Sequence, residues 1–270
     1  MPTKLGQNFL KDPAVLEKII QATDVAKADF VLEIGPGEGV LTEKLAALGK
    51  KVVAIELDDR LIEPLKNKFA DVSNVEIVQG DILQINLPEL LKTVETPRRG
   101  VSTAIDYQVI ANIPYYITSP IIRLFLEQAA QPQEMILMIQ KEVAERIVAP
   151  RGQMSILAVS VGYYAATEIL FLVDKTSFSP VPKVDSAVIK ITPQRKFNKI
   201  EDKKFFRLVK AGFSAKRKTL LNNLATSLQI KKEVVEKILL SASFDIHTRA
   251  QELTIADWEK LTALFDAAIK

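Results

Sequence analysis

The stretch FVLEIGPGEGVLT, residues 30–42, decides how the rest of the chain is read. Five mainly apolar, β-prone residues, Phe30 to Ile34, run into a turn holding Gly35, Gly37 and Gly39, and a helical pattern starts at once. Strand, glycine turn and helix open a βαβ unit, and glycines, lacking a Cβ, let backbone approach a ligand closely. Outward from this stretch the same rhythm continues. KVVAIE (51–56), VEIVQG (75–80), YQVIAN (107–112) and EMILMIQ (134–140) read as strands. They are apolar on both faces, as in a parallel sheet covered by helices. Helical segments lie around 39–48, 58–69 and 118–130, and EILFLV (168–173) and SAVIKI (186–191) extend the sheet. The pattern predicts an α/β fold, doubly wound and mostly parallel. Periodic apolar residues near 202–213, 217–228, 231–241 and 255–268 then predict a small all-helical C-terminal domain. Residues 92–106, KTVETPRRGVSTAID, read as a mobile loop insertion.

Composition narrows the chemistry. The 270 residues include one His and no Cys, so disulfides, thiolate metal sites and cysteine nucleophiles are excluded, and His247 cannot form a histidine metal cluster. No metal site is expected. No signal or transit pattern opens the sequence, and the apolar run 154–173 is broken by Thr167 and Glu168 into a buried helix and a buried strand. The expectation is a cytoplasmic protein, without membrane insertion, acting as a monomer. The net charge of +3 hides an asymmetry. Residues 1–193 carry 20 Lys and Arg against 24 Asp and Glu, net −4, whereas residues 194–270 carry 16 against 9, net +7. That split predicts an acidic-to-neutral body over 1–193 carrying a basic helical module over 194–270.

The glycine turn and two carboxylates point to a cofactor. Glu56 ends the second strand, where a carboxylate can accept hydrogen bonds from ribose hydroxyls, and Asp81 ends the third, within reach of an adenine amine. A nicotinamide fingerprint would place its third glycine one residue later, and no G-K-[ST] follows to make a phosphate loop. E-x-G-x-G-x-G with these two acids resembles the Rossmann-like methyltransferases that use S-adenosylmethionine. A tight turn alone would explain the glycines but not the paired acids.

The fourth strand ends in Asn112-Ile113-Pro114-Tyr115. The Asn112 side-chain carbonyl and the Pro114 backbone carbonyl can both accept from an exocyclic amine, and Tyr115 offers a ring on which a base stacks. An ordinary Asn-x-Pro turn is the plainer alternative. Phe178 opens FSPVPKVDS, where it either grips the opposite face of a flipped base or belongs to the core, and Lys183 offers a phosphate contact. Lys203, Lys204, Arg207, Lys210, Lys216, Arg217 and Lys218 crowd into sixteen residues of the tail. Such a run reads either as a solvated helix face or as a phosphate-binding surface.

Taken together, LGQNFL (5–10), EIGPGEGVLT (33–42), GDIL (80–83), NIPY (112–115) and FSPVPKVDSAV (178–188) resemble the ribosomal RNA adenine N6-dimethyltransferase family. FSAKRKTLLNNL (213–224) and RAQELT (249–254) resemble the helical domain of its small-subunit branch. The resemblance implies S-adenosylmethionine-dependent conversion of two adjacent adenosines near the 3′ end of 16S rRNA to N6,N6-dimethyladenosine, within the small ribosomal subunit or its precursor. It implies cofactor contacts at Asn8, Leu10, Gly35, Glu56, Asp81 and Asn112, with Gln7 to Leu10 covering the methionine end as a short loop. Asn112 and Pro114 would hold the amine, and Tyr115 and Phe178 the base. Beside such an RNA-modifying body the basic run reads better as phosphate-binding, so Lys216, Arg217 and Lys218 of an RNA-binding domain over 194–270, with Lys183 of a catalytic domain over 1–193, are expected to contact the RNA. Only four residues precede Leu5, so the basic N-terminal extension common in the family is expected to be missing. The runner-up is the sister branch that methylates large-subunit rRNA. A non-catalytic nucleic-acid-binding factor on the same fold is the reading from another class.

Overall fold

The computed structural model describes residues 8–25, 28–94, 106–128, 130–195 and 199–268. Its centre is a seven-stranded sheet: β2 (Phe30–Ile34), β3 (Lys51–Glu56), β4 (Val75–Gln79), β5 (Tyr107–Asn112), β6 (Glu134–Gln140), β7 (Ala165–Val173) and β9 (Ser186–Pro193). The order is β4-β3-β2-β5-β6-β9-β7. Neighbours from β4 through β6 run parallel, and β9 joins β6 antiparallel, with Met135 opposite Ile191 and Gln140 opposite Ser186. All five residues of β2 are buried, Glu33 included, which is what a central strand covered on both faces requires.

Helices flank the sheet: α1 (Pro13–Ala22), α2 (Val40–Ala47), α3 (Asp59–Lys68), α4 (Leu87–Thr93), α5 (Thr118–Leu126) and the short α6 (Lys141–Ile147). Their starts are written locally. Asp12 Oδ1 accepts from the Ala14 amide at 2.9 Å ahead of Pro13, and Asp58 Oδ1 accepts from Arg60 N at 3.2 Å to open α3. The doubly wound α/β expectation holds. Two local expectations change. Lys92 and Thr93, read as the start of a loop insertion, end α4, while residues 95–105 of that insertion lie outside the described residues, as does Gln7. Phe9 and Leu10, read as loop, form a short strand β1 (Phe9–Leu10) that pairs antiparallel with β8 (Phe178–Ser179). Phe9 lies opposite Ser179 and Leu10 opposite Phe178, a pairing between distant stretches of sequence that no local pattern could announce.

The chain folds as two compact units, Met1–Ala144 with Ala166–Gln194, and Glu145–Ala165 with Arg195–Lys270. The second unit holds α7 (Ile156–Gly162), α8 (Lys199–Gly212), α9 (Leu220–Leu228), α10 (Lys232–Ser241) and α11 (Ile255–Ala268). A division at residue 193 does not anticipate the excursion 145–165, whose cause is side-chain chemistry. The Tyr163 and Tyr164 hydroxyls donate to the two oxygens of buried Asp202 at 3.0 and 2.8 Å. The Tyr163 ring stacks on Phe205 at 3.9 Å, with the Arg195 guanidinium 4.3 Å from its centre. Trp258 is fully buried in this unit, and a Cβ on Gly212 would lie 2.3 Å from its ring, so α8 and α11 meet through a position only glycine can fill. Among the described residues no helix is long and apolar enough to cross a membrane.

Candidate active site

Because β2 to β5 run parallel, their carboxyl ends and the turns that follow gather at one edge of the sheet, the place where open α/β sheets bind ligands. The glycine turn after β2 holds three positive φ angles, +66° at Gly35, +59° at Gly37 and +73° at Gly39. Gly35 N bonds Ile55 O at 2.9 Å and ties the turn to β3. A Cβ added at Gly35 would meet nothing within 4 Å, so its exposed side is open space, whereas one at Gly37 would stand 3.0 Å from the Phe9 ring. Phe9 thus closes over the turn from β1, assisted by an ion pair between Lys11 and Glu38.

Every residue expected at the cofactor or at the reacting base lines this cleft. Asn8, Leu10 and Gly35 contribute from the N-terminal strand and the glycine turn, Glu56 and Asp81 from the ends of β3 and β4, and Asn112, Pro114 and Tyr115 from the end of β5. Phe178 completes the wall. The structure adds what each is already bonded to. Glu56, 3 % exposed, accepts from Gly37 N at 3.1 Å through Oε2 and from Asp58 N at 2.9 Å through Oε1. Burial pushes its carboxyl above the usual range, and those backbone donors oppose the shift. Asp81 braces its own turn, accepting from Leu83 N at 2.9 Å and Gln84 Nε2 at 3.0 Å.

Asn112 donates weakly to the Asn8 carbonyl at 3.4 Å, and its Oδ1 accepts from no described residue. The Pro114 carbonyl takes the Ile117 amide at 3.1 Å and keeps one lone pair. Tyr115 is pinned by a 2.9 Å bond between its hydroxyl and Ser186 Oγ, while its ring stays half-buried at the cleft. Phe178 is 4 % exposed and packs in the apolar cluster around Leu10 and Val188, so its ring is at once a cleft wall and a core residue. Lys183 is exposed and is not part of the lining, and Lys216, Arg217 and Lys218 sit exposed in the turn between α8 and α9 in the second unit.

Glu33 and Tyr116 are among the lining residues that sequence reasoning did not assign to the site. Glu33 is 1 % exposed with Oε2 unpaired, and burial pushes its carboxyl up to about 8, opposed by the neighbouring Thr42 hydroxyl. Its signals were an acid inside an otherwise apolar strand and its place at the head of E-x-G-x-G-x-G. An unpaired buried acceptor under the floor, open space over Gly35, carboxylates at the ends of two strands and the apolar walls Leu57 and Ile82 suit S-adenosylmethionine, which carries an ammonium, a ribose and an adenine.

The comparisons decide the family. The model of the family described as ribosomal RNA adenine dimethylase matches residues 1–266. The chain belongs to the ribosomal RNA adenine dimethylase family. Among its relatives in that family is a ribosomal RNA small subunit methyltransferase A of Dehalococcoides mccartyi (strain CBDB1), 42 % identical over 259 residues, 95 % of this chain and 86 % of the relative. A dimethyladenosine transferase from Plasmodium falciparum has a similar structure, with a TM-score of 0.77 and 30 % identity over 96 % of this chain and 98 % of that one. The 23S rRNA methyltransferase ErmE is similar at a TM-score of 0.72 and 27 % identity, over 96 % and 100 % of the two chains. This dimethylase is accordingly an S-adenosylmethionine-dependent methyltransferase on a Rossmann-like α/β fold.

Proposed function

We propose that the enzyme dimethylates two adjacent adenosines near the 3′ end of 16S rRNA, in the small ribosomal subunit or its precursor, in the cytoplasm. The observation that carries the reading is Asn112. Its Oδ1 is unclaimed by any described donor, and it shares a cleft with the Pro114 carbonyl, the Tyr115 ring and a glycine turn suited to S-adenosylmethionine. When bound, that cofactor supplies a methyl group made electrophilic by a sulfonium. The chain's own residues bind and orient. Asn8, Leu10, Gly35, Glu56 and Asp81 hold the cofactor. Asn112 Oδ1 and the Pro114 carbonyl accept the two N–H bonds of the adenine amine, which turns its lone pair toward the cleft floor. The Tyr115 ring, fixed through Ser186, stacks on the base, and Phe178 supports the opposite wall. No histidine or cysteine is needed, since positioned acceptors do this work.

Residues 1–193 are the catalytic domain in this reading and 194–270 the basic RNA-binding domain. Lys216, Arg217 and Lys218 contact phosphates from the second domain, and Lys183 does so from the first. The small subunit is favoured by the 42 % identity to a small subunit methyltransferase A against 27 % to ErmE, a 23S rRNA enzyme. ErmE's similarity over the full length of its chain keeps the large subunit as the second reading. Incubation with labelled S-adenosylmethionine and, separately, under-methylated small subunits and large-subunit rRNA tests the choice. Label in the small subunit alone is expected, and label in large-subunit rRNA alone moves the enzyme to the other branch.

A further inference from the structure

Tyr116 stands at the cleft without a packing role to account for it. It follows Tyr115 in the 3₁₀ turn Tyr115–Ile117 and lines the same cleft. Three residues complete a turn of such a helix, so consecutive side chains project about 120° apart. Tyr115 therefore turns its hydroxyl to Ser186, while Tyr116 is turned away and is 63 % exposed. Among the described residues every other Phe, Tyr and Trp is buried or half-buried. The Tyr116 hydroxyl bonds no described residue, so no hydrogen bond holds the ring in place. The exposed ring stands at the side of the cleft, where a flat partner can cover it. A single exposed ring is matched by a single flat partner.

We propose that Tyr116 is the stacking platform for the nucleotide next to the target adenosine. The inference rests on the reading that the target base is drawn out of RNA into the cleft against Tyr115. Drawing one base out breaks its stack with the neighbour and leaves that neighbour's face bare. A ring one residue further along the turn offers the bare face a replacement, and base-on-aromatic stacking is strong enough to matter for binding. With two adjacent adenosines as substrate, the partner adenosine lies on the 3′ side of one target and the 5′ side of the other, so a fixed platform meets it in one of the two rounds. Tyr116 is thus a positioning residue that favours a purine beside the target, because purines present the larger face.

The test uses the full-length enzyme, its Tyr116→Ala and Tyr116→Phe variants, and small subunits reconstituted with either both adenosines or uridine in place of one. On two-adenosine subunits Tyr116→Ala is expected to raise KM on the order of tenfold with kcat less affected. Tyr116→Phe restores KM, since stacking needs the ring and not the hydroxyl. On the uridine-bearing subunit whose uridine falls on the platform's side the wild-type and alanine enzymes converge, because the neighbour no longer stacks well, while the other replacement leaves their difference unchanged. The inference is overturned if the alanine variant matches wild type on two-adenosine subunits, if phenylalanine fails to restore it, or if the loss is equally large with uridine at either position. It is overturned as well if the alanine variant loses S-adenosylmethionine affinity in parallel, which would make the ring part of the cofactor pocket. Absence of product from the wild-type enzyme on both particles would instead overturn the substrate reading itself.

Discussion

Asn112 reaches the cleft from the end of β5 with its amide nitrogen 3.4 Å from the Asn8 carbonyl and its Oδ1 accepting from no described donor. Replacing it with alanine removes the acceptor proposed to hold the amine and leaves the glycine turn, Glu56 and Asp81 in place. Turnover of Asn112→Ala is expected to fall about 10²-fold or more while cofactor binding is largely retained, by analogy with loss of one preorganised polar group in other sites. Single-turnover rates beside a titration with S-adenosylmethionine check this, and near-normal turnover removes the role. Glu33 makes a second residue-level prediction. Its carboxyl, ordinarily at 4.5, is pushed up to about 8 by burial, so around neutral pH the folded chain keeps a proton that the unfolded chain has released. The stabilisation is therefore whole below about 4.5 and drains away as pH rises toward about 8, at up to about 1.4 kcal/mol per pH unit. Glu33→Gln should flatten that slope in denaturant melts taken across this window, and an unchanged slope would contradict the assignment. Asn112 was legible because N-x-P-Y is a contiguous pattern at a strand end. The state of Glu33 was not, because it depends on Thr42, Glu56 and Lys68 folding around it.

Elements were legible wherever the pattern was local and periodic. β2, β3, β5 and β6 begin and end where the apolar runs place them, and α11 fills its expected span 255–268. The β1–β8 pairing was not legible, since two residues carry no period and their partners lie far along the chain. It has a consequence for the site, because it joins Leu10, expected at the cofactor, to Phe178, expected at the base. The entry to α2 carries the prediction at this scale. Gly39 is the residue before the helix, with φ +73°, and a Cβ there would lie 2.8 Å from the Phe69 ring and 3.0 Å from Leu65. Gly39→Ala combines left-handed strain with overpacking, and a loss of about 2–4 kcal/mol is expected. That corresponds to a Tm several degrees lower for a chain of this size. A melting temperature equal to wild type would mean the turn relaxes freely and is not held by α3.

Across the whole molecule, charge and fold divide along nearly the same line. The acidic-to-neutral stretch makes the sheet and cleft, and the basic stretch makes helices, with 145–165 drawn into the helical unit by Tyr163, Tyr164 and Asp202. That excursion was hidden because its apolar run, 154–173, reads the same whichever unit it packs in. Lys216, Arg217 and Lys218 lie together and exposed, and no described residue forms a salt bridge with any of them. Neutralising all three should weaken binding to small subunits and reduce the slope of log affinity against log salt by about 2–3, nearly one unit for each phosphate left without its cation. An unchanged slope would make them a solvated face. The central claim, an adenine amine presented for double methylation by Asn112 and Pro114, is tested most directly by nucleoside mass spectrometry of small-subunit rRNA fragments after incubation with the enzyme and S-adenosylmethionine. The account predicts N6,N6-dimethyladenosine at two adjacent positions near the 3′ end. Product elsewhere in the rRNA, or monomethyladenosine alone after prolonged incubation, would contradict it.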